Sequence, residues 1–261
     1  MPAHDLPLLE AAARAAGRIA LGFWRRAPRA WEKPGQGPVT EADLAVNDAL
    51  AALLRAARPG YGWLSEESAD DPARIAADRV FIVDPIDGTR AFVAGEETWA
   101  HSLAVAERGR VVAGVVYLPV RDRMFAARAD GPATLDGRPI RAAAGPAPTL
   151  LATAATLAPQ NWPGGVPATG RAFRASLAYR MALVAEGRFD GMVTLRPAWE
   201  WDVAAGTLLC ERAGAVATDP AGGRLRFNAP VPQVPGVVAA GPGLHADLMA
   251  RLHPPAATRA G

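Results

Sequence analysis

The run Val80-Phe81-Ile82-Val83 is wholly apolar, is flanked by charge, and leads directly into Asp84-Pro85-Ile86-Asp87-Gly88-Thr89. Such a run reads as a short buried strand. Whatever the chain folds into must therefore place two carboxylates at the C-terminal end of a strand inside its core. Pro85 and Gly88 fix a sharp turn there, so Asp84 and Asp87 can converge on one point. Like charges held that close repel unless a proton or a cation lies between them. A hard divalent cation with oxygen ligands answers that need, and Mg²⁺ suits a few carboxylates with water and a phosphate. The plain alternative is an Asx-type turn with two solvated aspartates. The apolar strand upstream weighs against it, because ligand sites in α/β proteins gather at the carboxyl ends of buried strands.

Three other places offer acids. Glu66-Glu67 follows the aromatic and apolar approach Tyr61-Gly62-Trp63-Leu64-Ser65, and its bland reading is a charged loop. Trp199-Glu200-Trp201-Asp202 leads into the small-residue helix start Val203-Ala204-Ala205-Gly206, where Asp202 could serve only as an N-cap. Thr40 reads as an N-cap with Asp43 as a capping-box variant. Thr89 has the reading of an ordinary turn hydroxyl.

Around these points the elements alternate. Leu8, Leu9, Ala12, Ala16, Ile19 and Phe23 share one helix face, with Asp5 as N-cap and Pro28 closing the segment. Lys33 to Pro38 reads as a loop, and the helix after Thr40 carries Leu44, Leu50, Leu53 and Leu54 and ends before Pro59. Trp99–Ala106, Val111–Leu118 and Met124–Ala127 read as antiparallel strands, the first pair joined at Arg108-Gly109-Arg110. The stretch Ala142–Pro148 is the candidate boundary. It gives a 1–141 part with an antiparallel sheet and the metal site, and a 142–261 part contributing Asp202 and substrate contacts. Beyond it come Leu150–Ala154, a helix over 172–186, Phe189–Leu195, a helix from Asp202 to about Arg212, Ala215–Thr218, Val237–Ala240 and a helix near Leu244–Leu252. The last eight residues read as frayed. The class is α+β in the first half and α/β in the second.

Composition removes other classes. One cysteine, Cys210, allows no intrachain disulfide and argues against a Cys-based zinc site. Lys33 is the only lysine among 28 basic residues, set against 26 acids for a net charge of +2. The arginines are scattered, so a nucleic-acid partner is not expected. Asp5, Glu10, Arg14 and Arg18 interrupt any signal-peptide core, and apolar runs such as Val111–Val116 fall far short of the ~20 residues of a membrane span. The expectation is a cytoplasmic protein without membrane contact, whose partners are small molecules; a homodimer is left open.

Taken together, Val39-Thr40-Glu41-Ala42-Asp43, Ser65-Glu66-Glu67-Ser68, Asp84–Thr89 and Trp201-Asp202-Val203-Ala204-Ala205-Gly206 resemble the inositol monophosphatase superfamily of Mg²⁺-dependent, lithium-sensitive phosphomonoesterases, in order and approximate spacing. The resemblance spans about residues 5 to 252 and implies a layered αβαβα sandwich. It implies one metal held by Glu66, Asp84 and the Ile86 carbonyl, a second held by Asp84, Asp87 and Asp202, and a looser third near Glu66. The Gly88 and Thr89 amides would cradle the phosphate, and Thr89, bonded to Asp43, would orient the attacking water. Two ions sharing a carboxylate activate water and stabilise the entering and leaving oxygens, so no nucleophilic Ser, Cys or His is needed. Lys33 matches a lysine of the family, whereas Gly37-Pro38 stands where many members carry an acid.

The string Arg196-Pro197-Ala198-Trp199-Glu200-Trp201-Asp202 looks most like the bacterial 3′(2′),5′-bisphosphate nucleotidases. Leu195 occupies the place of a glutamate that contacts inositol hydroxyls. Arg180 and Arg196 are candidates for a second phosphate, and Trp162 for stacking on adenine, though core filler is its plainer reading. Arg90-Ala91-Phe92-Val93-Ala94-Gly95, with Trp99, also resembles the histidinol-phosphatase branch. Inositol monophosphatase and histidinol-phosphatase activities stay open as alternatives. A non-catalytic regulator is the remote one, and it would predict a lost ligand where none is lost.

Overall fold

The computed structural model describes residues 5–33, 37–143 and 145–254. Its first elements are α1 (Asp5–Phe23), the hairpin β1 (Ala30–Lys33) and β2 (Gly37–Thr40), and α2 (Glu41–Ala57). Next along the chain are β3 (Gly62–Ser65), β4 (Arg79–Asp87), the short α3 (Thr89–Val93), β5 (Ala100–Glu107), β6 (Arg110–Leu118) and β7 (Arg123–Arg128), then β8 (Thr134–Leu135) and β9 (Arg138–Pro139). Past residues 140–148 come β10 (Thr149–Leu151), β11 (Gly170–Ala172), α4 (Leu177–Ala185), β12 (Gly191–Thr194), β13 (Ala198–Trp199) and α5 (Glu200–Arg212). β14 (Val216–Thr218), β15 (Gln233–Val234), β16 (Val237–Ala240) and α6 (Pro242–Leu252) complete the order.

Strands β3 to β9 form one sheet in sequence order, parallel only between β3 and β4. The second sheet runs β11-β10-β12-β16-β14 and is mixed. Successive strand side chains point to opposite faces, so β4 feeds two cores at once. Phe81 and Val83 join Leu9, Ala16, Val46 and Leu50 of α1 and α2 in one core. Val80 and Ile82 join Tyr179, Met181, Leu208 and Leu209 of α4 and α5 in another. Met192, Val237 and Ala239 close that second core from the other sheet. Val193, Val238 and Ala240 face outward to Leu248 and Leu252 of α6. The layers are thus α1/α2, seven strands, α4/α5, five strands and α6: the αβαβα sandwich.

The small residues of α5 set its depth. A Cβ on Gly114 of β6 would meet the Ala205 backbone at 3.0 Å, and one on Gly206 would meet Met181 at 2.6 Å. One turn later Cys210 is wholly buried, its Sγ 3.3 Å from the Met181 carbonyl, with burial pushing the thiol up to about 12.

Several expectations change. Asp5 lies within α1, and its carboxylate accepts from Arg58, Arg79 and Tyr61 rather than capping the helix. Lys33, Gly37 and Pro38 belong to the paired strands β1 and β2, while residues 34–36 lie outside the described residues. The helix expected over 172–186 begins at Leu177, because Ser176 caps it and residues 170–172 pair with β10. The strand read as Leu150–Ala154 is Thr149–Leu151. The capping box at Thr40 and Asp43 is present in full. The frayed tail read for the last eight residues lies, beyond Pro254, outside the described residues.

Candidate active site

β4 stays paired with β5 through Asp84, and the register shifts between Asp84 and Asp87. The turn ends at Gly88, whose φ of 98° lies in the left-handed region open to glycine. A Cβ there would also sit 3.3 Å from the Thr98 carbonyl and 3.4 Å from Ser176. α5 delivers Asp202 in its first turn; the N-cap position is Trp199, so the capping reading of Asp202 does not hold. One carboxylate atom each from Asp84, Asp87 and Asp202 fall within 4.8 Å of one another.

Those acids and Glu66 open on one cleft of about 790 Å³, which Ile86, Gly88, Thr89, Arg180 and Arg196 also line. Burial, then the charges of Glu66, Asp87 and Asp202, holds Asp84 well above the carboxylate range. Burial and Asp87 do the same to Asp202. Burial, Glu67 and Asp43 push Glu66 up to about 8. Asp87 is raised by burial but steadied by the Ser176 hydroxyl and the Ala178 amide, each donating to its Oδ2 at 2.6 Å. The buried Asp84 Oδ1 has no hydrogen-bond partner among the described residues. An all-oxygen set of crowded, desolvated carboxylates with an orphaned acceptor fits a hard divalent cation.

Thr89 Oγ1 is 3.1 Å from both Asp43 Oδ1 and the Ile86 carbonyl. The other oxygen of Asp43 is taken by the Thr40 hydroxyl and amide, at 2.5 and 2.8 Å, and burial pushes the acid up to about 6. Lys33 pairs with Glu67 and donates to the Glu66 carbonyl at 3.2 Å, so it anchors the loop that presents Glu66. Arg180 is buried, with its Nε donating to the Arg174 carbonyl at 2.6 Å and its guanidinium 4.4 Å from the Phe173 ring. Burial lowers it to about 10. Arg196 is exposed at the rim.

Leu195, read as standing in place of a substrate-contacting acid, and Trp162, a candidate stacking residue, both lie elsewhere. Leu195 packs beside Val193 on the α6 side of the second sheet and does not line the cleft. Trp162 is 2% exposed in that same core and donates to the Thr156 carbonyl at 2.9 Å, so it is not a stacking platform. Sequence reasoning missed Phe173, Ser176 and the lining role of Trp199, which stacks on Trp201 at 4.8 Å. Only Ser176 carried a local signal, as an N-cap before an apolar helix.

The inositol monophosphatase family model matches residues 4–255. The chain belongs to the inositol monophosphatase family. An inositol-1-monophosphatase of Mesorhizobium japonicum is 33% identical over 71% of this chain and 73% of its own length. A 3′-phosphoadenosine 5′-phosphate phosphatase of Mycobacterium bovis is 34% identical over 75% of this chain and 74% of its own. The crystal structure of the extragenic suppressor protein SuhB of Bartonella henselae superposes with a TM-score of 0.81 at 27% identity, covering 95% and 98% of the two chains. The family member described here is accordingly a phosphoric monoester hydrolase of the Mg²⁺-dependent kind. Among its described residues no helix is long and apolar enough to cross a membrane.

Proposed function

We propose that the chain removes one phosphate from a 3′(2′),5′-bisphosphorylated nucleoside, with 3′-phosphoadenosine 5′-phosphate as the reference substrate. The observation that carries this reading is the pair Arg180 and Arg196, which share the cleft with the acid cluster. A monophosphate held at the metals leaves their remaining guanidinium donors without a phosphate to pair with; a second phosphate supplies one in bidentate geometry. Phe173 and Trp199 line the same cleft and offer ring faces to a nucleobase.

In this reading Glu66, Asp84 and the Ile86 carbonyl would hold one Mg²⁺, and Asp84, Asp87 and Asp202 would hold a second, so the 1–141 part and the 142–261 part would both contribute. Bound Mg²⁺ would supply water activation and neutralise phosphate charge. The protein supplies the rest. Thr89 has one hydroxyl proton, which it gives to Asp43 or to the Ile86 carbonyl. Its lone pairs then accept from a water and aim that water's own lone pair at phosphorus. The Gly88 and Thr89 amides precede and open α3, where helical geometry leaves donors without intrahelical acceptors, and they donate to the phosphate oxygens. Asp43, held at its other oxygen by the Thr40 hydroxyl and amide, keeps the Thr89 hydroxyl from rotating away.

Phosphate release in Mg²⁺ tests the assignment. One charged hydrogen bond is worth about 1.5–3 kcal/mol, so kcat/KM for 3′-phosphoadenosine 5′-phosphate should exceed that for inositol 1-phosphate by roughly ten- to a hundredfold. Arg196→Ala should raise KM for the bisphosphate and leave simple monophosphates nearly untouched. Arg196 is the cleaner probe, because Arg180 also supports the Arg174 backbone. A preference for inositol 1-phosphate sinks the substrate assignment.

A further inference from the structure

His101 sits near the start of β5, wholly buried, and its Nδ1 meets the carbonyl oxygen of Pro85. The register explains the contact. Asp84 pairs with Ser102 and Asp87 with Ala100, so His101 lies opposite the two residues that the shifted ladder leaves over, Pro85 and Ile86. Pro85 has no amide proton, and its carbonyl has left the ladder. A buried carbonyl without a donor is costly, and the imidazole reaches across to supply one. A carbonyl only accepts, so Nδ1 carries a proton. Nε2 is buried without a hydrogen-bond partner among the described residues. Trp99 and Tyr117 flank the ring at 5.6 and 6.3 Å between centroids and restrict its rotation.

Pro85 is the residue between Asp84 and Ile86. Turning its peptide planes turns the Ile86 carbonyl and the Asp84 side chain with them. A histidine spent in an apolar core with one nitrogen unsatisfied is a poor filler compared with a leucine; its return is the bond to Pro85. We infer that His101 is a positioning residue: its Nδ1 proton fixes the Pro85 carbonyl and thereby the orientation of Asp84 and Ile86 toward the metal. This rests on the reading that Asp84 and Ile86 hold the cation.

The test is metal affinity, read by tryptophan-sensitised terbium(III) luminescence with Mg²⁺ competition, alongside the Mg²⁺ half-saturation of phosphate release. Outer partners of metal ligands typically govern affinity by about ten- to a hundredfold, so H101L should lose that much. At saturating Mg²⁺ its kcat should return most of the way, which a general loss of structure would not allow. H101N, whose amide nitrogen takes the place of Nδ1, should hold affinity within about threefold of wild type, and H101Q, which reaches past that point, should fall with H101L. Should H101L not fold, the H101N and H101Q pair decides alone. Equal affinity in H101L and wild type, or in H101N and H101Q, overturns the inference. D84N is the control: if it binds terbium as tightly as wild type, the ligand reading itself fails, whereas loss in D84N alone removes only the role given to His101.

Discussion

Asp84→Asn is expected to lower kcat/KM by about a thousandfold or more, some 4 kcal/mol of transition-state stabilisation, while making the metal-free protein harder to melt. The two effects share a cause. Asp84 lies at the meeting point of Glu66, Asp87 and Asp202, each of which raises its pKa in addition to burial. With cations bound, that density of charge is what the site needs. Without them it is repulsion inside the fold, and an amide relieves it. Each kcal/mol relieved is worth about 2–4 °C in Tm for a domain near this size. Calorimetry in EDTA and phosphate release in Mg²⁺ measure the opposing signs directly. Glu67→Gln is the comparison. Glu67 is turned to Lys33 and does not line the cleft, so its loss should cost less than about tenfold, a weakened charge-assisted hydrogen bond. A larger effect at Glu67 than at Asp84 would mean the two adjacent glutamates have exchanged roles.

Withdrawing Mg²⁺ is the second large effect. EDTA should bring phosphate release down by about a thousandfold or more, because water activation and charge neutralisation are lost together. Mg²⁺ should restore it. Ca²⁺ should occupy the same oxygens without restoring it, since the larger ion accepts looser, variable coordination where in-line displacement needs tight geometry. A titration with both ions at fixed substrate would show Ca²⁺ as an inhibitor. Undiminished turnover in EDTA would remove the metal reading of the carboxylates altogether.

How far these residues can be read from sequence depends on how local their geometry is. Asp84 to Thr89 carry their meaning within six residues, because Pro85 and Gly88 shape the turn that brings the acids together. The capping box at Thr40 and Asp43 is equally local, and so are the strands β4 to β7, whose apolar runs are plain. Ser176 is invisible as a partner of Asp87 because 89 residues separate them. Leu195 shows a different limit. It stands next to Arg196, which reaches the cleft, but just past the end of β12 its own side chain stays with Val193 on the α6 side while the chain bends at Arg196. Position in a motif picks out the right stretch of chain and the wrong face of it. Trp162 fails as a stacking residue for the reason large aromatics usually do: its ring is worth more in a core. Lys33 to Pro38 reads as a loop because proline and glycine dominate it, yet its two ends pair as edge strands, where proline is tolerated.

The sole cysteine turns the α4–α5 contact into a clock. Cys210 has no exposed surface and a strongly raised pKa, so an alkylating reagent reaches its thiolate only when α5 lifts from Met181. Eight residues earlier the same helix carries Asp202, which a bound cation would tie to β4. Alkylation measured by mass spectrometry therefore times the opening of α5 without any added label. Saturating Mg²⁺ should slow that modification, and the ratio of rates with and without the ion measures how much of the helix's residence in the closed state the metal secures.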